Sequence, residues 1–180
     1  MEQTRTRYSS AAQALHWLTA ILVLIAFFYG PGGSETRVYS AARDFDRRLH
    51  ETLGLCVLLL TIVRLAWRAL DERPDPAAIP RWMDVASKAV QGVLYLLLFA
   101  VPLTAITGAW LEAHPVTWLG GDIGPWLAES HDLGKKIAEL HTWLGDTILW
   151  VAGAHALAAI YHHFILRDGV LKSMLPGARG

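Results

Sequence analysis

Four stretches of this chain are long enough and poor enough in charge to cross a lipid bilayer, and this limits its fold more than any other property. A helix needs about 20 mainly apolar residues to traverse a hydrocarbon layer of about 30 Å. Residues 11–30 carry no charged side chain and run into the breaker sequence GPGGS, while residues 49–69 have an uncharged centre from Thr52 to Val63. Residues 89–111 are free of charge, and residues 140–166 are interrupted only by Asp146 and by histidines. Inside lipid a segment must satisfy its own backbone, which makes helices the available form for such runs. The expectation is an all-α, up-and-down transmembrane four-helix bundle, with residues 1–180 as a single integral-membrane domain.

Composition narrows the function classes. The hydrophobic share is 53%, above the 45 to 50% usual for soluble domains. Sixteen basic residues balance sixteen acidic ones, so nothing favours nucleic acid as a partner. Cys56 is the single cysteine and lies in an apolar run, which leaves no internal disulfide and no cysteine-built iron–sulfur site. Histidine, present eight times, is the abundant metal-ligand type.

The first run follows Arg5 and Arg7, as the apolar part of a signal peptide would, but it is long for that role and contains His16. It is read as a span. Basic residues beside spans are retained in the cytoplasm. Ten of them (Arg5, Arg7, Arg64, Arg68, Arg73, Arg81, Lys88, Arg167, Lys172 and Arg179) fall on the side of the termini, against six (Arg37, Arg43, Arg47, Arg48, Lys135 and Lys136) on the other. Both termini are therefore expected in the cytoplasm, with DERPDPAAIP as the inner connection. The outer connections are GPGGSETRVYSAARDFDRR and a Trp- and Gly-rich stretch, 112–139, long enough for a small cap.

Polar ionisable groups within spans are costly, which makes each a functional candidate. Four histidines qualify. His50 and His141 lie near the outer ends of the second and fourth spans, whereas His16 and His155 lie toward the inner ends of the first and fourth. Fourteen residues separate His141 from His155, so they share a helix face about 21 Å apart along the axis. That is too far for one metal and suited to two cofactors stacked across the membrane. Matching by depth pairs His50 with His141 outside and His16 with His155 inside. Facing helices of a bundle can close such pairs on haem iron, which accepts axial imidazoles. Gly54 and Gly145, each four residues after a ligand candidate in HETLG and HTWLG, would open a slot for a flat macrocycle, as would Ala12, Ala20 and Ala159 at the inner site. No CxxCH occurs, so haem would be held without covalent links.

The other candidates stay open between two readings. His162 and His163 either bind a quinone headgroup or are interfacial histidines at a span end, and His114 and His131 read as solvated loop residues. Asp146 could cap, pair with an outer basic residue or carry a proton. Haem propionates could use Arg47 and Arg48 outside or Arg64 and Arg68 inside, although topology alone accounts for the inner pair. Trp17, Trp82, Trp110, Trp118, Trp126 and Trp143 read as an aromatic belt. Pro102 should kink the third span, with Thr104 or Thr107 able to serve the freed backbone.

The motifs LHW at His16, RRLHETLG at His50, LHTWLG at His141, GAHALAAIYHHF over 153–164 and LKSMLP near the end resemble the bacterial cytochrome b561 family over nearly the whole chain. The resemblance implies two b haems on the paired histidines, with electrons passing between a cytoplasmic-side quinone, ubiquinone in some relatives, and a periplasmic donor or acceptor. Some relatives oxidise superoxide, and Arg43, Arg47, Arg48, Lys135 and Lys136 could steer such a small anion. Hydrogenase and formate dehydrogenase cytochrome subunits look similar, so a haem-bearing anchor in a respiratory complex, or a homo-oligomer, is the competing arrangement. A metal-ion or proton transporter is the competing class, and it calls for acidic partners and broken helices around one midplane site.

Overall fold

The structure, a computed structural model, describes residues 7–32, 35–71 and 79–177. Arg5, Arg73 and Arg179, which entered the reading of orientation, and residues 72–78 of the inner connection lie outside the described residues. Four long helices form the molecule: α1 (Ser10–Tyr29), α3 (Asp44–Leu70), α4 (Arg81–Leu111) and α5 (His131–Tyr161). Shorter elements join them: α2 (Glu35–Val38), a hairpin of β1 (Val116–Trp118) and β2 (Gly121–Ile123), and α6 (Val170–Met174). All four long helices are apolar enough to span a membrane.

The long helices start and stop where elementary helix chemistry directs. Ser9 accepts a hydrogen bond from the Ala12 N–H at 3.2 Å and caps α1, and the uncharged run then continues to Gly30 and Pro31, where a helix cannot easily go on. Asp44 and Asp46 in the first turn of α3 and Arg68 in its last turn complement the helix dipole. Hydropathy underestimates three of the helices. At 27 and 31 residues they reach about 40 and 46 Å, well beyond the hydrocarbon layer. The added turns are polar, so α4 begins eight residues and α5 nine residues before the apolar runs that mark them.

The start of the first helix and the α6 segment meet at one end of the bundle, called the terminal end. The Tyr8 N–H and the Gln13 side-chain amide donate to the Ser173 carbonyl at 3.2 and 3.0 Å, and the Trp17 indole donates to the Met174 carbonyl at 2.8 Å. The opposite end is the cap end. There the hairpin docks on α3: Glu51 accepts the Thr117 N–H at 2.7 Å, and Arg48 donates to the Gly120 carbonyl at 3.1 Å.

Between the two ends α1 lies on α3 and α4 on α5. The buried apolar cluster of Val57, Leu97, Leu98 and Ile148, flanked by Leu22, Val23, Leu94, Val101 and Leu144, sits at mid-height. Lipid is as apolar as leucine, so this layer is held by close packing more than by removal from water. The outer surface carries the complementary signature, with Phe28, Leu59, Leu96, Trp150, Leu157 and Phe164 exposed. Buried hydroxyls bond back along their own helices, Thr19 to the Leu15 carbonyl and Thr61 to the Val57 carbonyl, each at 2.7 Å. Thr104 does the same to Ala100 and Val101 at 2.7 and 2.9 Å. It therefore does not serve the Leu98 carbonyl, the one that Pro102 deprives of its helical donor.

Two further expectations need correction. Trp82, Trp126 and Trp143 are exposed as belt residues, but Trp17 fastens α6, and Trp110 donates to the Ile123 carbonyl at 3.1 Å while its ring packs on Trp126 at 4.9 Å. Trp118 belongs to the hairpin and is half-buried. Indole N–H groups at span ends found carbonyl partners in the fold, which a belt assignment ignores. His131 is not a loop residue either, because it opens α5.

Candidate functional site: two facing histidine pairs

The bundle brings together both histidine pairs expected from depth. His50 on α3 faces His141 on α5 with ring centres 5.9 Å apart and planes at 82°. His16 on α1 faces His155 on α5 at 6.5 Å and 79°. Two imidazoles on opposite sides of one ion, with bonds of about 2.0 Å and roughly 1.1 Å from nitrogen to ring centre, would stand about 6.2 Å apart. Both pairs fit that span. The space beside them fits as well, because a Cβ built on Gly54 or on Gly145 would meet nothing within 4 Å. At the cap end Arg47, three residues before His50, also has a buried Nε with no partner among the described residues.

The two pairs differ in what holds their rings. His50 Nδ1 lies 2.7 Å from the Ala26 carbonyl of α1, and His141 Nδ1 lies 2.9 Å from the Val101 carbonyl of α4. A carbonyl only accepts, so both rings donate from Nδ1 and keep Nε2 bare, the tautomer a metal requires. At the terminal end the Arg64 guanidinium donates to His16 Nδ1 at 2.9 Å, which places the His16 proton on Nε2. His155 has no hydrogen bond among the described residues. Arg64 and Arg68 converge on the Tyr95 ring at 5.4 and 5.6 Å. Arg64 thus turns into the bundle, and topology alone does not account for it.

The histidines near the C-terminal part separate from each other. His162 begins a five-residue π-helical turn, His162–Leu166, and its Nδ1 is hydrogen-bonded to the Asp168 carboxylate. That carboxylate also accepts the Val170 N–H at 3.1 Å. Burial pushes Asp168 up, but the hydrogen bonds from His162 and Val170 outweigh it and hold the carboxyl below its usual value. His163 packs edge-on against the neighbouring Phe164 ring and has no hydrogen bond among the described residues. Asp146 lies on the exposed side of α5 with no ion pair among the described residues, roughly opposite the face that carries His141 and His155.

At the cap end the arginines are engaged. Arg43 pairs with Asp46 at 3.0 Å, Arg48 with Asp122 at 3.5 Å, and the largely buried Arg47 with both Asp44 and Glu51 at 2.5 and 3.0 Å. Their field is largely cancelled, leaving Lys135 and Lys136, which form no ion pair among the described residues. His114 is no solvated loop residue. It stacks on Tyr39 with ring centres 3.6 Å apart, and its Nε2 lies 2.9 Å from Glu35. Burial, with Glu51 close by, drives the Tyr39 hydroxyl well above its ordinary value. Glu51, Arg64, Asp168 and Glu35 were not singled out for these contacts by sequence reasoning; the signal available was a charged residue beside or facing a histidine, which spacing within one helix does not reveal.

A membrane bundle in which imidazoles from different helices meet in pairs has the make-up of a haem-binding electron-transfer protein. The comparisons agree: the family model for prokaryotic cytochrome b561 matches residues 7–177, and the chain belongs to that family. It is 29% identical to cytochrome b561 homolog 2 of Escherichia coli over 96% of this chain and 93% of that one. It is 31% identical to a probable superoxide oxidase, CybB, of Yersinia pestis, over 97% and 98%. Cytochrome b562 of Cereibacter sphaeroides is 30% identical over 93% and 94%. Membership makes this a membrane b-type cytochrome with haem b as cofactor and electron transfer as its work.

Proposed function

We propose that the chain is a di-haem oxidoreductase of the bacterial inner membrane, carrying electrons from a small redox partner at a periplasmic cap end to the quinone pool at a cytoplasmic terminal end. The observation that carries this reading is the pair of histidine layers, His50 with His141 and His16 with His155, each with ring centres separated as one iron requires. Haem b supplies a one-electron couple at each layer when bound. The Ala26 and Val101 carbonyls orient the cap-end rings, and Arg64, which sits on His16, would be the cation available to an anionic haem propionate. An apolar layer of Val57, Leu97, Leu98 and Ile148 lies between the pairs, which speaks against an ion or proton path and for transfer of electrons alone.

The name of the Yersinia relative supports superoxide as the cap-end substrate, drawn by Lys135 and Lys136 more than by the neutralised Arg43, Arg47 and Arg48. Two superoxide anions giving one electron each, with two protons taken at the terminal end, reduce one ubiquinone to quinol. His162, paired to Asp168, is the candidate for the quinone headgroup, with His163 beside it. The test is a reduced-minus-oxidised spectrum with a haem count, followed by superoxide-driven reduction of ubiquinone in liposomes. Two haems and superoxide-dependent quinol support the reading, and absence of an α band ends it. A second arrangement is favoured by Asp146: an exposed carboxylate in a span with no ion pair among the described residues suits contact with another chain, in a homo-oligomer or a larger respiratory complex.

A further inference from the structure

Beyond the two histidine pairs, the cap end gathers a second set of metal-ligating groups. Glu35 on α2, Glu112 immediately after α4 and His131 at the start of α5 each offer a ligand atom, and these atoms all lie within 4.8 Å of one another. We infer that Glu35, Glu112 and His131 form a site for one divalent metal ion of the zinc class, with His114 as the group that orients Glu35. Three protein ligands of mixed nitrogen and oxygen character, with a fourth position open to water, suit such an ion.

Several independent features place these groups together. His114 Nε2 is 2.9 Å from one Glu35 oxygen, and His131 Nε2 is 3.7 Å from the other. The first contact is the kind of outer hydrogen bond that fixes a ligating carboxylate, and His114 is itself fixed by its stack on Tyr39. Glu112 accepts no side-chain hydrogen bond among the described residues, although it stands beside a second carboxylate. The backbone is fitted closely to this arrangement. A Cβ on Gly134 would come within 2.6 Å of Glu112 Cγ and 3.2 Å of the Gly108 carbonyl, and one on Gly108 would come within 3.2 Å of the Ala138 nitrogen. Two glycines therefore let the end of α4 and the start of α5 approach until Glu112 meets His131.

Tetrahedral ligand atoms at about 2.0 Å from zinc stand about 3.3 Å apart, so the three groups have to draw in by an ångström or so. All three side chains reach solvent and can make that movement. A divalent ion there balances the two carboxylates and ties α2, α4 and α5 into one cap over His50 and His141.

The test uses the full-length, haem-loaded protein in detergent, dialysed against chelator and titrated calorimetrically with zinc sulfate, with zinc per chain counted by elemental analysis. The expected result is one zinc per chain, weakened at least tenfold by Glu112→Gln and by His131→Ala, with the haem spectrum unchanged in both. Glu35→Gln, nearly isosteric, should weaken it likewise, and Gly134→Ala should do so by displacing Glu112. Zinc binding that is absent from the wild type, or equal in wild type and variants whose haem spectra are intact, overturns the inference. If a variant loses its haem spectrum, the remaining two ligand variants decide by the same criterion.

Discussion

The two histidine pairs occupy equivalent depths in the bundle yet are prepared differently. At the cap end His50 and His141 each donate from Nδ1 to a backbone carbonyl of a neighbouring helix, and a docked hairpin, held by Glu51, lies beside them. At the terminal end Arg64 approaches the same ring position of His16 from which the cap-end histidines donate, and His155 has no hydrogen bond among the described residues. Carbonyls of neighbouring helices fix one pair, whereas the Arg64 guanidinium sits on the other. The difference teaches that ring distance alone does not make a ligand: the atom behind the ring sets its tautomer, and a cation there must be satisfied by something else before the ring can bind metal.

The largest effect that would break this comparison is loss of haem. On the proposed di-haem reading, alanine at His50 or His141 should remove the cap-end haem, and alanine at His16 or His155 the terminal-end one, each lowering the haem content from two per chain to one. If His50→Ala and His155→Ala abolished the same spectral component, the pairing would be overturned. Next comes Glu51→Ala, which leaves the largely buried Arg47 with Asp44 alone and strands the Thr117 N–H. A broken buried ion pair costs about 3 kcal/mol, or roughly 6–12 °C in Tm for a chain of this size. The loss should be greatest in protection of the cap-end amides measured by hydrogen exchange, and an unchanged Tm would show the hairpin to be passive.

Arg64→Gln sharpens the comparison on the other side. Removing a positive charge disfavours the reduced state, so the terminal-end midpoint should fall while the cap-end one holds. A unit charge at about 10 Å in an effective dielectric of about 20 is worth roughly 1.7 kcal/mol, about 70 mV for one electron. Redox titration resolving the two centres is the measurement, and equal shifts in both would refute a local role.

The smallest effect is the pH dependence of Asp168. Burial raises its pKa, but bonds from His162 and Val170 prevail, and the net direction is downward. A carboxyl depressed in the folded state stabilises above its unfolded value, near pH 4, and the contribution disappears as pH falls through the folded value. Wild type should therefore be slightly more stable than Asp168→Asn at pH 7, with the difference shrinking as pH falls below the unfolded value. A constant difference across that range would assign the effect to packing.

The sequence by itself determined the four spans and the histidine layers. Hydropathy records where lipid must be met, and fourteen residues on one helix fix both face and separation, because helical geometry is local. It also marked the glycines that leave open space at Gly54 and Gly145. Only the tertiary structure decided which atoms stand behind each ring, how far the helices run past the lipid, and that residues as distant as Glu35, Glu112 and His131 converge. Those outcomes depend on contacts between helices and on polar turns outside the membrane. No periodicity along one chain segment encodes them, because each is set by how two or three segments pack at once.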